Sequence, residues 1–101
     1  MAYEGASLDA NLAAAAGHDP DLVRELRAAF IESAEHHIDL LTRARCDGNW
    51  QVAAMRLKGL AASFHADSLL VLAEEAVETV PGNPGVLRRL RQILDDLAIE
   101  S

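Results

Sequence analysis

Apolar residues in this chain recur with the period of a helix. Val23, Leu26, Phe30, Ala34, Ile38 and Leu41 form one stripe at three- and four-residue spacing, which places them on a single helical face. The start of that helix is marked by Asp19 as N-cap and Pro20 at the first helical position, a pairing whose oxygen and fixed φ both favour helix entry. The pattern carries it to about Arg45. Upstream, Ser7 predicts a cap for a short helix over Leu8–Ala16, with Gly17 ending it. Downstream, Asp47-Gly48-Asn49 reads as a short turn, and so few residues between long helices force antiparallel neighbours.

A third helix is expected from about Trp50 to His65, and Asp67 caps a fourth from Ser68 to about Thr79. Val80-Pro81-Gly82-Asn83-Pro84-Gly85 is a loop. Asn83 and Pro84 repeat the cap-then-proline start for a last helix to about Ile99. β-branched residues are sparse and no stretch alternates with period two. The expectation is an all-α class: an antiparallel, up-down four-helix bundle with a short extra N-terminal helix, forming one domain over residues 1–101.

On a wheel of the third helix, Trp50, Ala53, Leu57, Leu60, Ala61 and Phe64 share the core side. Met55 falls nearly opposite, beside Gln51, Val52, Lys58, Gly59 and Ala62. A mid-helix glycine costs about 1 kcal/mol relative to alanine, so Gly59 on the outer face suggests room kept for something that approaches closely. Taken singly, an exposed methionine and a solvated lysine are ordinary. Together they describe a convex patch with a protruding apolar side chain, a cation and low walls, suited to docking a partner.

Composition narrows the function classes. With 16 acidic against 9 basic residues the net charge is −7, which argues against nucleic acid and anionic membrane surfaces as partners. The single cysteine, Cys46, cannot form an intrachain disulfide, and no Cys/His cluster has zinc spacing. The N-terminal residues carry no basic, apolar leader pattern, and Ala13–Ala16 is too short to span a bilayer. The expected setting is the cytoplasm, with no metal and no cofactor. Ser7, Ser33, Ser63 and Ser68 lie in no nucleophile signature, and Glu74, Glu75 and Glu78 read as a solvated helix face.

Arg56-Leu57-Lys58-Gly59 followed by Ala61-Ala62-Ser63 resembles the signature helix of the histidine-containing phosphotransfer (HPt) domain family, roughly His-x-Leu-Lys-Gly with small residues after it. Gly17-His18-Asp19-Pro20-Asp21-Leu22 resembles that family's entry to its second helix, and Gly48-Asn49-Trp50 the turn before the signature helix. The resemblance extends over nearly the whole chain. It implies an HPt-type bundle whose exposed His takes a phosphoryl group from an aspartyl phosphate on a receiver domain. The implied partner is the receiver of a response regulator or hybrid histidine kinase, bound by a monomer. Carried over, Lys58 helps offset phosphoryl charge and Gly59 makes room for the receiver's loops. The docking surface is then Gln51, Val52, Met55, Arg56, Lys58, Gly59 and Ala62.

The acceptor position falls on Met55, whose thioether forms no phosphoramidate, and the family's later Gly falls on His65. The expected function is therefore a non-phosphorylatable adaptor or competitor on receivers. Two alternatives remain open. One is phosphotransfer through another histidine, His65 first, ahead of His37 on the apolar stripe, His36 beside it and His18 in a loop. The other is a helical interaction or scaffold domain with no receiver in its biology.

Overall fold

The computed structural model describes the backbone of residues 3–99 and the side chains of residues 8–98. Five helices follow one another: α1 (Tyr3–Ala15), α2 (Pro20–Arg43), α3 (Asp47–Ser63), α4 (Asp67–Glu78) and α5 (Pro84–Ile99). Every regular element among the described residues is helical. None of these helices is long and apolar enough to cross a membrane.

Helix starts follow local chemistry. The Asp19 carboxylate accepts from the backbone N–H groups of Asp21 and Leu22, and Asn83 Oδ1 accepts from those of Gly85 and Val86. Both cap-then-proline starts therefore stand where the sequence puts them. Three other boundaries move. The first helix begins before Leu8 and runs through Ser7, which is an interior position and not a cap. Tyr3–Ser7 contains no proline and no β-branched residue to stop it. Asp47-Gly48-Asn49 is the first turn of α3 and not a linking turn. Cys46 caps it, its Sγ accepting from the Asn49 N–H at 3.5 Å, and Asp47 is favoured in the first turn by the helix dipole. Asp67 is likewise inside α4, whose N-cap is Ala66 with no side-chain cap bond.

Ala66 takes that position because it is already committed to the end of α3. The Ala66 N–H donates to the Ala61 carbonyl at 2.9 Å and the His65 N–H to Ala62 at 3.2 Å, the two bonds of a Schellman motif. Its left-handed residue is His65, at φ 55°, where glycine is the usual occupant. The same device ends α1, with Gly17 at φ 65° and the His18 N–H donating to Ala13.

The helices pack as a ring: α3 against α2 and α4, and α5 against α2 and α4, with α1 laid along α2 and α5. Trp50 at the start of α3 donates its indole N–H to Ala76 near the end of α4 at 2.7 Å. Arg27 near the start of α2 donates to the Leu97 carbonyl near the end of α5 at 2.6 Å, so both pairs run antiparallel. The core inside the ring includes Phe30, Ile38, Leu41, Trp50, Leu57 and Leu90. Of the expected α2 stripe, Phe30, Ala34, Ile38 and Leu41 are buried, whereas Val23 and Leu26 are only partly covered. The buried charge on this face is Arg27, which also pairs with Asp9 of α1. Relief of the left-handed strain at His65 predicts that His65→Gly raises unfolding free energy by about 1 kcal/mol, read as a higher urea midpoint at unchanged m-value.

Candidate functional site

α3 carries its buried residues, Trp50, Ala53, Ala54, Leu57 and Ala61, on the side turned into the ring. Leu60 and Phe64, expected in the core, are partly covered at its margin. The opposite side is open. Met55 and Val52 are each 51 % exposed, and Gln51, Arg56, Gly59 and Ala62 are exposed with them.

The expected patch divides by azimuth. Gln51 and Lys58, two turns apart, lean to α4: the Gln51 amide donates to the Val77 carbonyl at 3.3 Å, and Lys58 Nζ lies 4.0 Å from a Glu74 carboxylate oxygen. Lys58 is thus half-buried at the α3/α4 seam rather than free beside Met55. Its exposed pairing with Glu74 is weak and easily exchanged for another anion. Met55, Gly59 and Ala62 occupy the crest. Val52 and Arg56 lean to α2.

Gly59 has no internal reason to be glycine. A Cβ built there meets nothing within 4 Å, and its φ is not in the left-handed region. Its carbonyl takes an ordinary back-bond from Ser63 Oγ at 2.9 Å. The space over the crest is open solvent.

Between α2 and α3, next to this crest, lies an open groove of about 540 Å³. Leu40, Ala44, Val52 and Ala53 form its apolar lining, and Arg43 and Arg56 supply the cations. The spacing of apolar residues marked α2 and α3 separately. That spacing holds no register between them and so does not bring Leu40 and Arg43 to the site.

The histidines are scattered. His65 is exposed and left-handed beyond the end of α3, ten residues along the chain from Met55. His18 lies in the α1–α2 connection. His36 is exposed, its ring centroid 5.6 Å from that of His37. His37 is not the hydrogen-bonded interior residue that the stripe suggests: it is half-buried, and its Nδ1 is enclosed with no hydrogen-bond partner. Burial, then the charges of His36 and Arg56, holds its pKa below the ordinary 6.5. Among the described residues no group of three His, Cys, Asp or Glu side chains could hold a metal ion.

No family model, curated protein or solved structure matches the chain.

Two outcomes follow from this geometry. Because a methyl group fits over Gly59 freely, Gly59→Ala should stabilise the fold by about 1 kcal/mol, measured by urea unfolding. For His37, the folded protein binds the proton more weakly than the unfolded chain does. Its contribution to stability is therefore complete above pH 6.5 and is lost as pH falls through 6.5 toward the depressed folded-state value. Urea midpoints at pH 8 and pH 5.5 should drop further for the natural chain than for His37→Leu.

Proposed function

We propose that this chain is an HPt-like module that docks on receiver domains through the crest of α3 and does not accept a phosphoryl group at position 55. The ring of α2, α3, α4 and α5 is read as the family's up-and-down four-helix bundle, with α1 as the additional N-terminal helix. In this reading the chain acts as an adaptor or a competitor in a two-component pathway, as a monomer in the cytoplasm.

The observation that carries the proposal is Gly59. It sits in mid-helix, four residues from exposed Met55, with empty space where its side chain would be. The fold gains nothing from that glycine and forgoes about 1 kcal/mol by keeping it. A partner whose backbone comes close to the crest accounts for it. Lys58, one turn along from Met55, holds only a 4.0 Å contact with Glu74 and is free to turn toward an incoming anion.

Transfer to a histidine requires a ring nitrogen lone pair to attack phosphorus while the aspartyl carboxylate leaves. The Met55 sulfur carries no such nitrogen. It supplies a flexible apolar contact instead. His65, past the end of α3 and left-handed, stands outside the helical face on which Met55, Lys58 and Gly59 are spaced.

Receivers charged with labelled acetyl phosphate, incubated with the natural chain and with Met55→His, test this directly. The expected result is acid-labile label on the Met55→His chain only, lost again when Gly59→Glu is added. Label on the natural chain would move the chemistry to another histidine. A Met55→His chain that no receiver of the source organism labels would remove receivers from its biology and leave a helical scaffold domain.

A further inference from the structure

The groove between α2 and α3 has a charge opposite to that of the molecule around it. The chain carries 16 acidic and 9 basic residues, yet the groove is lined by two arginines and by no carboxylate. One of them, Arg43, is paired with Asp39 at 2.7 Å. Arg56 has no anionic partner among the described residues. It is exposed, and its field reaches His37 across the α2/α3 seam. An unpaired guanidinium beside an apolar lining is a strong recognition element, because its planar fork binds a carboxylate through two parallel hydrogen bonds.

The apolar part fixes what accompanies that carboxylate. Leu40, Ala44 and Ala53 form a shallow lining, and Val52, half exposed, joins it to Met55 on the crest. A polyanion such as a nucleic acid would meet one free cation here and repulsion from the rest of the chain. A short protein segment with one apolar side chain and a neighbouring Asp or Glu matches both halves of the groove.

We propose that this groove is a second contact site, in which an acidic amphipathic segment of the protein covering the α3 crest seats an apolar side chain against Leu40 and Val52 and a carboxylate on Arg56. The assignment of that segment to a receiver rests on the function proposed above; the chemistry of the groove does not. Arg56 is then a specificity residue. The crest, built of small and apolar side chains, accepts any partner of suitable shape, and the groove selects those that place an acid at the right point.

The test has two arms. In the first, the ¹⁵N-labelled natural chain is titrated with a helical peptide of only Glu and Leu, and in parallel with one of only Lys and Leu. The acidic peptide should move the resonances of Leu40, Val52 and Arg56, and the basic one should not. Arg56→Glu should abolish the effect and Arg56→Gln weaken it. Arg88→Glu, which reverses an exposed arginine on α5, should leave it unchanged. In the second arm, a receiver that labels the Met55→His chain should bind Arg56→Glu at least about tenfold more weakly than the natural chain, a loss of about 1.4 kcal/mol. Peptide shifts that scatter, or that survive Arg56→Glu, would overturn the groove whatever the receivers do. Peptide shifts that map to the groove while no receiver labels Met55→His would uphold the groove and reassign its partner.

Discussion

The position of every side chain on the α3 crest depends on one buried hydrogen bond, from the indole N–H of Trp50 to the Ala76 carbonyl at 2.7 Å. An indole N–H enclosed in a core must find an acceptor. Ala76 offers one from the last turn of α4, where its carbonyl also accepts the Thr79 N–H at 3.2 Å and has a second lone pair for the indole. The bond ties the first turn of α3 to the last turn of α4 and so sets the rotation of α3 about its axis. Leu57 with Ala53, Ala54 and Ala61 holds that rotation along the rest of the helix. Three of those four are alanine, which lets the neighbouring helices approach and leaves no space for a larger side chain. Turning α3 by one residue, about 100°, would drive Met55 or Arg56 into this space. The crest is fixed by what lies beneath it.

Arg27 performs the matching task at the other side of the ring. It is a buried cation, 5 % exposed, that pairs with Asp9 of α1 and donates to the Leu97 carbonyl of α5. A buried guanidinium is tolerated only where its donors find acceptors. Those acceptors lie on two different helices, so Arg27 fixes how α1 and α5 meet α2. Its position on the apolar stripe, three residues before Phe30, was open to inspection in the sequence. An isolated charge there signals a buried cation in need of acceptors, but which residues supply them depends on long-range packing that no local pattern encodes.

That distinction separates what could be read from the chain from what could not. The all-helical class, the Asp19-Pro20 and Asn83-Pro84 starts, the Gly17 stop and the exposure of Val52, Met55 and Gly59 all rest on contacts within a few residues. They were legible for that reason. The misplaced starts of α3 and α4 have a different origin. Asp47 and Asp67 are good N-caps and also good first-turn residues, and the choice was decided by the residue before each. Cys46 offered its sulfur to Asn49, and Ala66 was held by the close of α3. The leaning of Gln51 and Lys58 toward α4, and the pairing of Leu40 with Val52 in one groove, require the register between helices. Sequence periodicity determines a face but not its neighbour.

In the docking proposed above, Met55 and Gly59 bear on different parts of the interaction. An acceptor histidine contributes a lone pair to a bond that forms and breaks; replacing it stops that chemistry but removes few contacts. A glycine contributes by absence, and any side chain there would occupy volume that a partner's backbone needs. Drift in a surface that had lost its partner would refill Gly59 readily, since most residues are better helix formers than glycine and nothing in the fold opposes them. Methionine, beside exposed Val52, keeps the crest apolar. The docking function proposed above, separated from phosphoryl transfer, accounts for both residues at once.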